Sequence, residues 1–132
     1  MDLASIRLIT ADVPRLVAFY ERVTGAAARW STDFFAELVV GSTALAVAGP
    51  QSVGLLAPDA VEPAANRSVL VEFLVEDVDR VRADLGDVLD EIVAEPTTMP
   101  WGNRSLLVRD PDGNLVNIFT PSTAAARERF GR

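Results

Sequence analysis

The side chains that could transfer a proton or hold a metal in this chain are of few types. The 132 residues include no Cys and no His, and all 12 basic residues are Arg. The chain therefore has no thiolate nucleophile, no disulfide, no imidazole and no lysine for a Schiff base. Only Asp, Glu, Ser, Thr, Arg and the single Tyr20 remain, and they restrict the chemistry to carboxylates, hydroxyls and guanidinium groups.

The charge balance narrows the class of partner. A net charge of −7 and a pI near 4.5 argue against nucleic acid, which requires a basic surface. The acidic surface of this protein favours cationic or neutral small molecules, or it serves only to keep the protein in solution. No apolar run is long enough to span a bilayer, and Met1-Asp2 lacks the basic flank of a signal peptide. We therefore expect a cytoplasmic protein without membrane contact.

The elements that position these side chains are predicted to occur twice. The segment Ile9–Leu16 is echoed 65 residues later by Leu74–Val81. In each copy a strand-like apolar run leads to an Asp that can cap a helix, Asp12 or Asp77, and helical spacing follows. A unit of this size cannot bury a stable core alone. We therefore expect the two copies to pack as one domain over residues 1–132, with a cleft between them.

Each copy is predicted to contain one helix, with three or four strands in the first copy and four in the second. The first module covers residues 4–48, a linker covers 49–67, the second module covers 68–121 and a tail covers 122–132. The linker has room for a short helical turn or for a lid over the cleft, and the tail is expected to form one exposed helical turn or to fray. The predicted elements are a strand Ser5–Thr10, a helix Val13–Gly25, strands within Ala28–Ala48 around a Gly41-Ser42 turn, a strand Val69–Val75, a helix from Val78, and strands near Asp90–Ala94, Arg104–Arg109 and Leu115–Thr120.

The segment Asp110–Asn114 predicts a tight hairpin turn. Its Asp-Gly and Gly-Asn steps supply the positive φ that such turns need, and apolar strands flank it. A calcium loop would need Gly at its sixth position and Glu at its twelfth, where this chain has Leu115 and Pro121. We therefore predict a turn and no metal site here.

Four segments, taken in order, resemble one known family. They are Val13–Gly25 with Phe19-Tyr20 at its centre, Glu76–Asp79, Pro100–Arg104 and Asp110–Phe119. Their succession is similar to that of the vicinal oxygen chelate superfamily, which includes glyoxalases, bleomycin resistance proteins and extradiol dioxygenases. The resemblance implies an α+β fold of two βαβββ modules, whose curled mixed sheets surround a ligand cleft, usually in a homodimer.

The positions of the family's metal ligands are occupied by unsuitable residues. The resemblance places ligands seven residues before Asp12 and Asp77, and at a Glu in the last strand; here these positions are Ser5, Leu70 and Asn117. Leu has no donor atom, and a hydroxyl with an amide cannot hold a divalent ion against water. Glyoxalase, epimerase and dioxygenase chemistry needs a metal. The resemblance therefore points to the metal-free, bleomycin-resistance-like branch, whose members sequester a compound rather than transform it.

Strand alternation and loop position predict the ligand-binding residues. Alternation directs six side chains toward the side that the resemblance identifies as the cavity: Ser5, Arg7, Leu70, Glu72, Asn117 and Phe119. In addition, Trp30, Phe35 and Trp101 could stack on a flat ligand, and Glu37 could contact a cationic group.

Each of these assignments has a plainer alternative. Aromatic residues are more often simply core, and Arg7 with Glu72 could form an ion pair or face solvent. Burial of Glu72 could instead make it a general base. Arg104 is expected to stabilise the Asp110–Asn114 turn, Tyr20 to pack on its own sheet, and Phe130 to be disordered or to reach a partner subunit.

The sequence thus favours metal-independent binding or sequestration of a small hydrophobic or aromatic compound, with a cationic compound as one option. We expect no catalytic residue, no metal, no cofactor and no nucleic acid, and we expect a homodimer. The first alternative is a lyase, isomerase or oxygenase of the same superfamily that recruits a metal through carboxylates such as Glu37 and Glu72. The second is a partner-binding module whose cleft is filled by its own side chains.

Overall fold

The computed structural model describes residues 1–132, which form two compact units. Module 1 is Met1–Ala65 and module 2 is Asn66–Arg132. Each contains a four-stranded mixed sheet, in the order β1-β4-β3-β2 or β5-β8-β7-β6. In both, the first strand runs parallel to the last, and the other neighbours are antiparallel. This repeated topology confirms the predicted α+β fold of two βαβββ modules.

The helices and strands have the following bounds in chain order. Module 1 contains β1 (Ser5–Ile9), α1 (Val13–Thr24), β2 (Arg29–Thr32), β3 (Phe35–Val40), β4 (Thr43–Ala48) and the short α2 (Gln51–Gly54). Module 2 contains β5 (Val71–Leu74), α3 (Val78–Leu85), a 3-10 turn (Gly86–Val88), β6 (Glu91–Thr98), β7 (Asn103–Arg109), β8 (Leu115–Pro121) and α4 (Ala124–Arg129). None of the four helices has the length and apolar character needed to cross a membrane.

Both main helices begin as their sequences predict. Oδ1 of Asp12 accepts from the Arg15 amide, and Oδ1 of Asp77 accepts from the Arg80 amide, each at 3.1 Å. These bonds satisfy donors that the first turn of a helix leaves free. The apolar side of α1 then packs on the sheet, where Tyr20 is fully buried as predicted. The helix-facing core of module 1 comprises Leu8, Leu16, Val17, Leu38, Leu45 and Val47.

Strand β6 extends beyond its predicted end near Ala94. It reaches Thr98 and includes Pro96, with a register shift between Ala94 and Thr97. Pro has no amide hydrogen, which is tolerated because β6 is the edge strand of its sheet.

Arg104 does not stabilise the Asp110–Asn114 turn, so that expectation was wrong. Its Nε and Nη2 donate to the two carboxylate oxygens of Asp79 on α3, at 2.7 and 2.8 Å. Strand alternation explains this, since Arg104 shares the helix-facing side of β7 with Leu106 and Val108. The hydrogen bonds lower the pKa of Asp79 and raise the pKa of Arg104.

The Asp110–Asn114 turn itself forms as predicted and is closed by its own side chains. Oδ1 of Asp110 accepts from the amides of Asp112 and Asn114, each at 2.9 Å, and Oδ2 accepts from the Asn114 side chain at 2.7 Å. The arginine that supports this turn is Arg109, whose Nη1 donates to the Gly113 carbonyl at 3.0 Å.

Candidate functional site

Four of the predicted ligand-binding residues share one face of the module 1 sheet. The strand register sets Arg7 and Glu37 on either side of Ala46, and it sets Ser5 opposite Ala44 and Phe35 opposite Ala48. This parity is opposite to that of Leu38 and Val47, which face α1. The guanidinium of Arg7 lies 4.9 Å from the ring centroid of Phe35. We call this surface the helix-free face of module 1. It consists of the alanines of β4 (Ala44, Ala46 and Ala48) with two charged side chains and one aromatic ring beside them.

Trp30 lies apart from this group. It pairs with Ala36, whereas its neighbour Arg29 pairs with Glu37. Trp30 therefore has the parity of the helix-facing residues, at the sheet edge, where it is 46% exposed. The structure does not bring it together with Phe35 and Glu37.

In module 2 the predicted polar residues form a pair. Glu72 and Asn117 are directly opposite in the parallel β5–β8 ladder, and the Asn117 amide nitrogen donates to Oε2 of Glu72 at 2.7 Å. Thr120, three residues after Asn117 on β8, points to α3, where its hydroxyl accepts from the Val78 amide at 2.9 Å. Because side chains alternate along a strand, Asn117 and its partner Glu72 lie on the side away from α3. A hydrogen bond to a carboxylate is charge-assisted, so it orients both side chains.

A cavity of about 450 Å³ lies on this side of the module 2 sheet. Its volume falls in the range of small-molecule sites, roughly 300–1,000 Å³. Three of the predicted residues, Glu72, Trp101 and Phe119, line the cavity. Asn117 does not line it but donates a hydrogen bond to Glu72. Leu70 lies before the start of β5 and outside the lining, 44% exposed. The lining comprises Glu72, Leu74, Trp101, Asn103, Phe119, Arg129 and Phe130.

Trp101 stands at the mouth of the cavity in the loop between β6 and β7. The loop is closed by the Met99 and Gly102 amides, which donate to the Asn103 and Met99 carbonyls at 2.7 and 2.9 Å. The Trp101 side chain is 62% exposed. Trp101 is therefore not a buried core residue, which was the plainer alternative for the aromatic side chains, and its ring is free to contact a ligand.

The sequence interpretation missed Leu74, Asn103, Arg129 and Phe130. Alternation along β7 could have found Asn103, since it has the parity of Ser105, which pairs with Phe119. Phe130 was expected to be disordered or to reach a partner subunit, but its ring packs against Phe119 with centroids 5.2 Å apart. The available signal was a lone aromatic residue at the end of a helix-forming segment that starts with the capping residue Thr123.

Two buried amide oxygens of module 2 have no hydrogen-bond donor. Asn103 and Asn117 are each 9% exposed, and Oδ1 of each is unpaired within the protein. In Asn117 the amide nitrogen is engaged by Glu72, which leaves the oxygen as the free end. A buried acceptor without a donor costs about 1–3 kcal/mol. Glu72 itself is exposed, so the burial that its interpretation as a general base requires is absent.

The residues at the family's metal-ligand positions do not fit a metal. Leu70 offers no donor atom, Ser5 offers a neutral hydroxyl, and the nitrogen of Asn117 is bonded to Glu72. Nowhere in the chain do three Asp or Glu side chains cluster in a way that could hold an ion. Divalent ions in proteins are held by several carboxylate, imidazole or thiolate ligands.

The paired βαβββ modules define a protein of the glyoxalase and bleomycin resistance fold. Comparison with protein families agrees: residues 2–118 match the Glyoxalase/Bleomycin resistance protein/Dioxygenase superfamily. Because the match covers most of the sequence, the chain belongs to this superfamily.

Individual relatives support the assignment of the fold. The uncharacterized protein YraH of Bacillus subtilis (strain 168) is 28% identical over 125 residues, which cover 90% of this chain and 98% of YraH. A glyoxalase/bleomycin resistance protein/dioxygenase family enzyme from Burkholderia phytofirmans PsJN matches with a TM-score of 0.82 and 19% identity, over 92% of this chain and 99% of its own. A glyoxalase/bleomycin resistance protein/dioxygenase from Nocardioides matches with a TM-score of 0.72 and 22% identity, over 94% of this chain and 85% of its own. At these identities the two structures show the fold alone.

Proposed function

We propose that this protein binds a small hydrophobic or aromatic compound, without a metal and without transforming it, in the manner of the bleomycin-resistance-like branch. The observation that carries the proposal is the cavity of about 450 Å³ in module 2. Its lining joins the rings of Trp101, Phe119 and Phe130 to a few polar groups, a combination typical of small-molecule sites.

The polar groups of the cavity suit recognition better than catalysis. Covalent and acid-base catalysis rely on a nucleophile or proton donor that a neighbouring group activates. Glu72 is paired only with the amide of Asn117, which neither takes nor gives a proton near neutral pH. The pair instead presents a fixed carboxylate and a fixed amide to whatever enters the cavity.

The helix-free face of module 1 is the second part of the proposal. Arg7, Phe35 and Glu37 offer a guanidinium, a ring and a carboxylate beside the alanines of β4. Such a surface can stack on a flat molecule and contact a polar substituent. We include Ser5 with them, and we leave out Trp30 because of its register.

Tryptophan fluorescence provides the test. The single-Trp variant Trp30→Phe would be titrated with a panel of planar dyes and drugs, with and without EDTA. We expect saturable quenching of Trp101 by at least one compound, unchanged by the chelator. The matched variant Trp101→Phe retains only Trp30 and should lose the signal.

Two results would contradict the proposal. One is an absence of saturable quenching across a broad panel. The other is a stoichiometric divalent ion in the purified protein, measured by elemental analysis, which would favour the enzyme alternative. The proposal includes a homodimer, which light scattering after gel filtration would measure.

A further inference from the structure

We propose that the C-terminal segment lines the module 2 cavity in the free protein, and that the ligand is an aromatic cation with N–H donors that displaces its Phe130 ring. This inference rests on the proposed function and specifies its ligand class. Three observations carry it: how the segment is held, which side chains it adds to the cavity lining, and which hydrogen-bond acceptors it leaves without donors.

The segment is held at one glycine. The Gly102 carbonyl accepts from the amide and the hydroxyl of Ser122, each at 2.8 Å, and from the Thr123 amide at 3.3 Å. Oγ1 of Thr123 then caps α4 by accepting from the Ala126 amide at 3.2 Å. A Cβ on Gly102 would collide with the Thr123 side chain, so the approach is too close for any larger residue.

The end of the segment brings a ring and a cation to the cavity. The half-buried Phe130 ring lies at 56° to that of Phe119, with centroids 5.2 Å apart. The guanidinium of Arg129 lies 5.3 Å from the Phe130 centroid. Both residues line the same cavity as Glu72. The segment therefore resembles a ligand composed of an aromatic ring with an attached planar cation.

The segment satisfies the apolar part of the cavity but not its acceptors. Oδ1 of Asn103, which lines the cavity, and Oδ1 of Asn117, whose amide nitrogen donates to Glu72, are buried without donors. Glu72 accepts a protein hydrogen bond at Oε2 alone. A phenyl ring supplies none, and Arg129 itself is exposed at the rim. A ligand that replaces Phe130 and also carries N–H groups would therefore gain hydrogen bonds that the segment does not make.

Benzamidine and benzamide test the ligand class, because they share a ring and differ in charge and donor number. We expect saturable binding of benzamidine, roughly tenfold or more tighter than benzamide, because hydrogen bonds to a carboxylate gain from charge. Glu72→Gln should weaken benzamidine by a similar factor. Glu76→Gln makes the same change of charge outside this cavity and should leave affinity unchanged.

A variant of the segment tests the displacement. If Phe130 must leave before a ligand contacts Phe119, Phe130→Ala should bind benzamidine roughly two- to tenfold more tightly, since that ring contact is no longer broken. Glu128→Ala, on the same helix, is the matched control. Weaker or unchanged binding in Phe130→Ala would show that Phe130 stays in the lining when the ligand binds and would overturn the displacement.

The outcomes separate this inference from the proposed function. Equal affinity for benzamidine and benzamide would refute the cationic ligand class while leaving metal-free binding intact. Failure of both probes, together with failure of the dye panel, would refute the proposed function itself. Side-chain amide resonances of Asn103 and Asn117 should shift on benzamidine binding if these oxygens accept from it, and an absence of shifts would contradict their role.

Discussion

The substitution Gly102→Ala should release the C-terminal helix from module 2. It adds a Cβ at the point where Gly102 meets the Thr123 side chain, in a backbone conformation with φ of +93° that L residues rarely adopt. Thr123 must move away, and with it the hydrogen bonds that Ser122 and Thr123 donate to the Gly102 carbonyl.

The expected loss of unfolding free energy has three parts. Backbone strain at a positive φ costs about 1–3 kcal/mol for a residue other than Gly. Loss of the Thr123 cap costs about 1 kcal/mol, and loss of the two shorter hydrogen bonds to the Gly102 carbonyl, both donated by Ser122 at 2.8 Å, costs about 1 kcal/mol each. Gly113→Ala is the matched control, since Gly113 has φ of +81° and nothing within 4 Å of an added Cβ. We therefore expect Gly102→Ala to lose about 3 kcal/mol more than Gly113→Ala.

Urea unfolding and amide hydrogen exchange would measure these losses. In Gly102→Ala, the Ala126 and Arg127 amides should lose protection, because their acceptors are the side chain and carbonyl of Thr123. The same variant should gain affinity for benzamidine, as Phe130→Ala should. Equal destabilisation of Gly102→Ala and Gly113→Ala, with α4 amides still protected, would refute the reasoning.

Three further predictions concern the core, an ion pair and the mouth of the cavity. Leu16→Ala should lower the free energy of unfolding, measured in urea, by about 2–5 kcal/mol, because Leu16 is fully buried. The control Leu55→Ala, at a site 99% exposed, should change it by less than about 0.5 kcal/mol. Asp79→Asn should lower the urea midpoint at pH 7: hydrogen bonds from Arg104 hold the pKa of Asp79 below its ordinary value of 3.8, so the carboxylate contributes stability above that pH. The difference from wild type should close as the pH falls through the lowered pKa, and a gap that persisted in acid would contradict the assignment. Trp101→Ala should weaken binding of an aromatic probe in equilibrium dialysis while leaving the urea midpoint nearly unchanged, since its ring is mostly exposed.

Local signals were sufficient to predict the helix starts and the tight turn, whereas the arrangement of the strands in two βαβββ modules was implied by the family resemblance. The capping residues Asp12 and Asp77, the helical spacing behind them and the Asp110–Asn114 turn are each set by neighbours in sequence, and all appear in the structure. Alternation within β8 correctly put Asn117 and Phe119 on one side, because the period of a strand is fixed by its backbone.

Contacts across long sequence separations were not predictable in the same way. Arg104 was assigned to the acidic turn that follows it, but its partner Asp79 lies 25 residues earlier on α3. The position of Phe130 depends on the close approach of Thr123 to Gly102, which no pattern within the tail indicates. The polar part of the site was therefore partly found from alternation, while the part contributed by α4 was missed.

The docking of α4 has a consequence for how recombinant protein is prepared. Any affinity tag fused after Arg132 would begin three residues beyond Phe130, next to a cavity that Arg129 and Phe130 line. The Arg132 amide donates to the Arg127 carbonyl at 2.8 Å, so Arg132 is folded back onto the helix. Purification handles therefore belong at the amino terminus, and dissociation constants obtained with carboxyl-terminal fusions would describe a modified site.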